Sequence, residues 1–237
     1  MTITNKAVPS YKSNGRLTGH TGGITALCFH SNNQFLSASH DATIKVWHHH
    51  ANTATLKGHL GSVTAMSLDS NNSSILASGS SDRTAKIWDL AKHALIATLP
   101  TATTGILSVA IQQNFLAYTT RDNILTYFDL RSASPIFTYQ APNHTDLASV
   151  QLTPQGPLCA SHNTLLLFSP PTPTQPTIIT TTHSKPITKI HIPSIPPPFN
   201  SSSNSTSPST NTIPFNPSQS ILTLSANQIE LTTLSNS

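Results

Sequence analysis

Two stretches of this chain carry nearly the same message, "SHDATIKVWHH" at 39–49 and "SSDRTAKIWDL" at 81–91, each with an Asp six residues before a Trp. A unit of about forty residues written more than once is the signature of a stacked or circular array, in which each unit buries its apolar face only against its neighbours. A fainter mark repeats along the chain. Three apolar residues at spacing i, i+3, i+5 recur as Ile24/Leu27/Phe29, Val63/Met66/Leu68, Ile106/Val109/Ile111, Leu147/Val150/Leu152 and Ile187/Ile190/Ile192, their first members 39, 43, 41 and 40 positions apart. The last two members of each set alternate as they would on the buried face of a strand, whereas a helix does not bring i and i+5 to one face.

A second mark follows each of the first three sets. "FLSAS", "ILASGS" and "FLAYTT" run from apolar to small residues and end in turns at Asp41, Asp82 and Asp122, where a carboxylate can bond nearby backbone N–H groups. The alternating strands "TIKVW", "TAKIW" and "ILTYF" come next, and "TLLLF" and "QIELTT" keep the strand without the Asp. Further apolar strands such as "ALIATL" and "PIFTY" lead to the next copy, so each unit offers four strands. Charged residues make up 8% of the chain, too few for helices with solvated faces and suited to short strands with polar turns.

The stretches "GHTGGITALCF…FLSASHDATIKVW" and "GHLGSVTAMSL…ILASGSSDRTAKIWD" resemble WD-repeat units, with their Gly-His opening and closing Trp-Asp; the likeness is strong over residues 15–99 and weaker in three later units. The resemblance implies an all-β fold, a β-propeller of about five four-stranded blades around a central channel. It implies structural tetrads, His20, Ser37, Asp41 and Trp47 in the first unit and His59, Ser78, Asp82 and Trp88 in the second. Indole N–H donates, hydroxyl and imidazole each donate and accept, and a carboxylate accepts, so the four can form one buried chain. The later units lose it. Ala102, Tyr118 and Phe128 stand for His, Ser and Trp in the third, His162 or Asn163 and then Phe168 stand for Asp and Trp in the fourth, and the fifth keeps His183 but ends on Thr232. These units are expected to rely on apolar packing alone.

Residues 12–18 have the form of residues 51–57, a fourth strand before a Gly-His. They are expected to complete the last blade and close the ring, the alternative being an incomplete or open propeller. The chain reads as one propeller over 1–237, with 193–219 a disordered Pro/Ser/Asn-rich insertion in a hairpin of the last blade.

Catalysis finds little support. A Ser-His-Asp set that recurs at the same repeat positions and ends on Trp is structural, and no nucleophile elbow, phosphate loop or His-Glu metal motif is present. Neither a cofactor nor a metal is expected. "HHH" at 48–50 allows His48 and His50 to share a face, without a third ligand in sight. Cys28 and Cys159 have no metal or disulfide spacing and are expected as buried thiols. The net charge of +4 comes from residues 1–92, with eight Lys or Arg against four acids and no basic run, so direct nucleic-acid binding is not expected. No signal core or membrane span is read in the chain, which points to a cytoplasmic or nuclear protein.

The function implied is a non-enzymatic scaffold or adaptor whose partners are other proteins, with no small-molecule substrate and no membrane. By the resemblance, partner contacts favour the face that holds Thr21, His40, Ser81, Arg83 and Arg121. "FDLR" at 128–131 is similar to the Asp-x-Arg ending with which substrate receptors of cullin-type ubiquitin ligases contact their adaptor. That makes Arg131 a further candidate, the alternative being a surface pair with Asp129.

Overall fold

A computed structural model describes residues 16–30, 34–49, 51–142, 146–169, 176–180, 186–191, 220–225 and 228–233. The insertion at 193–219, His50 and His183 lie outside the described residues. The structure is all β. The first sheet contains β1 (Ile24–Phe29), β2 (Gln34–Ser39), β3 (Ile44–His48) and β4 (Ala51–Leu56), and the second β5 (Val63–Leu68), β6 (Ile75–Ser80), β7 (Ala85–Asp89) and β8 (Ala94–Thr98). The third contains β9 (Ile106–Gln112), β10 (Phe115–Thr120), β11 (Ile124–Asp129) and β12 (Ser134–Gln140). The fourth contains β13 (Ser149–Thr153), β14 (Gly156–Ser161), β15 (Thr164–Leu167) and β16 (Thr177–Thr180), and the last β17 (Ile187–His191), β18 (Ser220–Ser225) and β19 (Gln228–Thr233). Every sheet is an antiparallel meander in chain order, the form of a propeller blade.

The blades stack in sequence through their first strands, β1 beside β5, β5 beside β9, β9 beside β13 and β13 beside β17. The core therefore lies between blades rather than within one. Leu36, Val46 and Leu56 of the first blade share a cluster with Val63, Leu76 and Trp88 of the second, and Ala77, Ile87 and Leu99 of the second meet Ile106, Val109 and Phe128 of the third. Hydroxyls complete the seams: Thr25 Oγ1 donates to the Val63 carbonyl at 2.5 Å and Thr64 Oγ1 to that of Ile106 at 2.6 Å.

Two expectations change. The triplet Ile24/Leu27/Phe29 lies on a flank that no described residue covers, and these side chains are 52%, 55% and 84% exposed. The equivalent Ile106, Val109 and Ile111 are buried because the second blade packs on them. Ring closure by residues 12–18 does not appear among the described residues: Arg16–Thr18 form no strand, residues 12–15 lie outside the described set, and the last sheet contains three strands. Leu17, which corresponds to the buried Leu56, is 38% exposed because it finds no sheet edge to pack behind. The described strands form no closed ring, which the open alternative allows. Cys159 is buried as expected, while Cys28 is half-buried with its thiol 3.7 Å from the Met66 carbonyl.

The flank can be tested by stability. Leu76→Ala should lose about 2–5 kcal/mol, while Phe29→Ala should stay within about 0.5 kcal/mol. Urea unfolding measures both, and a Phe29 loss as large as that of Leu76 would mean that the first blade is covered.

Candidate functional site

The site is the end of the blades where the turn from second to third strand meets the loop that enters the first strand. Its architecture depends on one carboxylate in each of the first three blades. In the first blade Trp47 Nε1 donates to Ser37 Oγ at 2.8 Å, Ser37 Oγ is 2.8 Å from His20 Nε2, and His20 Nδ1 donates to Asp41 Oδ2 at 2.8 Å. With Nδ1 bearing the proton for the carboxylate, Nε2 accepts the Ser37 hydroxyl proton. Asp41 also accepts from the Thr21 N–H at 2.9 Å, the Thr43 N–H at 3.0 Å and the Thr43 hydroxyl at 2.6 Å.

The second blade repeats this. Trp88 donates to Ser78 Oγ at 2.8 Å, Ser78 Oγ lies 2.8 Å from His59 Nε2, and His59 Nδ1 donates to Asp82 at 2.9 Å. Asp82 then takes the Leu60 N–H at 2.8 Å, the Thr84 N–H at 2.9 Å and the Thr84 hydroxyl at 2.7 Å. The Gly-His opening follows from the indole, since a Cβ on Gly58 would sit 3.2 Å from the far edge of the Trp88 ring.

The third blade departs from the expectation of apolar packing alone. Asp122 accepts from three threonine hydroxyls, Thr103 at 2.6 Å, Thr104 at 2.8 Å and Thr120 at 2.5 Å. Thr103 and Thr104 reach the carboxylate from the loop that enters the blade and Thr120 from the strand before the turn, so hydroxyls replace the missing His. The signal was the "TATTG" run, at 101–105, before the third blade. The fourth blade does use aromatic packing, with buried Phe168 against Tyr139 at 4.8 Å edge-on and Phe137 at 5.9 Å.

These environments set the charges. Burial would raise Asp41 and Asp82, but their converging donors outweigh it and hold both well below the usual carboxylate range. Asp122 is likewise lowered, against burial, by its three threonines. Burial pushes His59 below the ordinary imidazole value, and Asp82 only partly offsets this. His59 is a neutral structural group rather than a poised base.

Thr21, His40, Ser81, Arg83 and Arg121 all fall at this end of the sheets and all are exposed. His40 Nδ1 lies 2.6 Å from Ser62 Oγ, linking the first blade to the second, and the Ser81 N–H bonds the Ser62 carbonyl at 2.9 Å. Arg83 occupies the left-handed region at φ 71°, the turn position that Ala42 (65°) and Asn123 (61°) fill in the neighbouring blades. Leu60 was missed. It follows His59 as Thr21 follows His20, and it is 94% exposed.

Arg131 lies at the opposite end, in the turn between β11 and β12. Its guanidinium bonds Asp129 at 3.2 and 3.0 Å and stands 5.7 Å over the Phe115 ring, which is the surface-pair alternative. His48 and His49 touch ring to ring, and no group of three metal-ligating side chains occurs among the described residues.

The family described as WD domain, G-beta repeat matches residues 11–48 and 51–89. Autophagy-related protein 16 of Arabidopsis thaliana is 28% identical over 129 residues, 53% of this chain and 25% of that protein. The WD repeat-containing protein 53 homolog of Dictyostelium discoideum is 39% identical over 64 residues, 26% of this chain and 17% of that protein. The chain thus spans about a quarter or less of the relatives it matches.

Two outcomes follow from the carboxylates. Asp82→Ala leaves the His59, Leu60 and Thr84 donors without their acceptor and should cost at least about 2 kcal/mol. Asp146→Ala removes one surface contact to Asn123 at 3.4 Å and should stay within about 0.5 kcal/mol; equal shifts in melting temperature would refute the clamp.

Acid should destabilise in two stages. His59 resists protonation in the folded state, so its share of stability is complete above the unfolded imidazole value of about 6.5 and is lost as pH falls below it. Asp41, Asp82 and Asp122 keep theirs above about 3.9 and lose it as pH drops through and below that value. Melting temperature against pH should show both limbs, and Asp82→Asn should flatten the lower one.

Proposed function

With WD40 repeats at 11–48 and 51–89 set in an all-β array of blades, we propose that this protein is a non-enzymatic interaction scaffold or adaptor of the cytoplasm or nucleus. The observation that carries this reading is the composition of the turn face. Its carboxylates, Asp41, Asp82 and Asp122, are turned inward onto N–H, imidazole and hydroxyl donors, while Arg83, Arg121 and Leu60 are left facing solvent. An exposed leucine on a face that also presents two guanidinium groups without an ion pair among the described residues, on turns held rigidly by hydrogen bonds, suits an acidic and apolar segment of a partner protein. Lone large apolar side chains are ordinary on surfaces, but one held on a clamped turn of a face that also carries cations suits the role of an anchor.

The same inward turn argues against chemistry at this end of the molecule. The His20–Asp41 and His59–Asp82 pairs are buried and their protons are committed, so neither imidazole is a base aimed at solvent. The similarity to an autophagy-related protein and to a WD-repeat homolog is compatible with assembly into larger complexes and names no partner.

Affinity capture from the native cell, with wild type beside Leu60→Ser and Arg83→Glu/Arg121→Glu, tests the face. Partners retained by wild type should be lost by both variants at unchanged melting temperature, with binding weakened by salt. Retention by both variants would place the binding surface elsewhere.

A further inference from the structure

The seam between the second and third blades differs from the seam before it in one respect. At the first seam the Trp88 indole is buried among Val46, Leu56 and Leu90 and reaches Gly58 with its far edge. At the second, strand register puts Phe128 where Trp88 stands and Leu130 where Leu90 stands, and the sequence puts Thr101 in the place of Gly58. A phenyl ring is shorter than an indole, and it does not bridge to this position. Here a cavity of about 580 Å³ opens, lined by Ile87, Ala97, Leu99, Thr101, Phe128 and Leu130 among others.

The volume falls within the range of about 300–1,000 Å³ typical of ligand sites and far exceeds what a phenyl lacks relative to an indole. It admits a whole aromatic side chain from outside. At the next seam the same Trp-to-Phe replacement at Phe168 is filled internally by Tyr139 and Phe137. Phe128 has no such ring partner among the described residues.

The mouth indicates how an occupant enters. Ile96, half-exposed, lies at the rim on β8, and β8 is the last strand of its sheet. An end strand offers unpaired backbone groups to an extended segment. No charged side chain lines the cavity, and its polar groups are the Thr98 and Thr101 hydroxyls and the Gln113 amide. Thr98 already accepts from Lys86 Nζ at 2.8 Å, while Thr101 and Gln113 offer further acceptors for an N–H.

We propose that this cavity receives a tryptophan side chain from a partner protein, carried on an extended segment that adds to the free edge of β8. The indole would lie against Phe128, in the space toward Thr101 that the far ring of Trp88 fills in cis one seam earlier, with its N–H toward Thr101 or Gln113. The site is on the perimeter of the array, apart from the turn face, and stands whether or not that face binds anything.

The test is an NMR titration of the full chain with a capped peptide, Thr-Val-Trp-Val-Thr, its Trp-to-Ala twin and N-acetyltryptophanamide. The Trp peptide should shift the methyl signals of Ile87, Leu99 and Leu130, and both the Ala twin and the free amide should bind at least about ten-fold more weakly. Thr101→Gly/Phe128→Trp rebuilds the Gly58–Trp88 pair, and Ala97→Leu fills the cavity from the other wall. Each should abolish binding, the double variant at an equal or higher melting temperature. No binding of the Trp peptide at millimolar concentration, equal binding of the Ala twin, or undiminished binding to a folded filled variant would overturn the site. A free amide that binds as tightly as the peptide would overturn the role of the β8 edge.

Discussion

A carboxylate surrounded by its own donors, at the turn between the second and third strands, is the constraint on which the rest of the array depends. Asp41 and Asp82 each tie their own turn to the loop that enters the blade, since one carboxylate oxygen takes the Thr43 or Thr84 N–H and the other takes the Thr21 or Leu60 N–H. That tie forces His20 and His59 inward, and through Ser37 and Ser78 it fixes the indoles of Trp47 and Trp88. Trp88 in turn is the wall on which the first blade packs. A polar chain anchored in a turn thus sets an apolar seam between sheets, and each link would be costly to leave unpaired.

The blades grade from polar to apolar as the chain proceeds. The third keeps the carboxylate but replaces imidazole with Thr103, Thr104 and Thr120, so its turn is clamped while its third strand ends on an unanchored Phe128. The fourth gives up the carboxylate and stacks Phe168 on Phe137 and Tyr139. Loss of the anchor has opposite results at these two places. Where aromatic side chains of the preceding blade reach over, the seam is filled; where Ala97 and Leu99 stand instead, it stays open.

The strands were legible because their period is two and the unit length is nearly constant, and the tetrad members were legible through the resemblance of the first two units to WD repeats. What a strand's apolar face meets was not. The Ile24/Leu27/Phe29 pattern is the same as that of the buried sets, since alternation encodes which side is apolar and carries no information on whether a neighbour covers it. Asp69 shows the complementary difficulty. In the sequence it sits in a polar stretch, "LDSNNSS", and reads as a loop residue. In the structure it is buried and accepts the Asn71 N–H and, across the seam, the Gln113 N–H, both at 3.0 Å. A partner 44 residues away in sequence cannot be inferred from local composition. Leu60 was hidden for a third reason: exposure of an apolar residue is a property of the folded surface.

The open flank has its own logic in a row of small residues. One position before the middle apolar residue, β1, β5, β9 and β13 carry Ala26, Ala65, Ser108 and Ser149, and this row faces the following blade. Ala26 and Ala65 pack into the seam clusters, while Ser108 Oγ accepts the Val150 N–H at 3.1 Å and Ser149 Oγ the Ile190 N–H at 3.4 Å. The fifth member of the row is Lys189, exposed and without an ion pair among the described residues. Burial raises the Cys28 thiol on β1, and the Lys189 charge offsets part of that rise. Were the last blade to seat directly on Ile24, Leu27 and Phe29 as the others seat on their neighbours, that ammonium would enter an apolar seam, where an unpaired charge costs several kcal/mol.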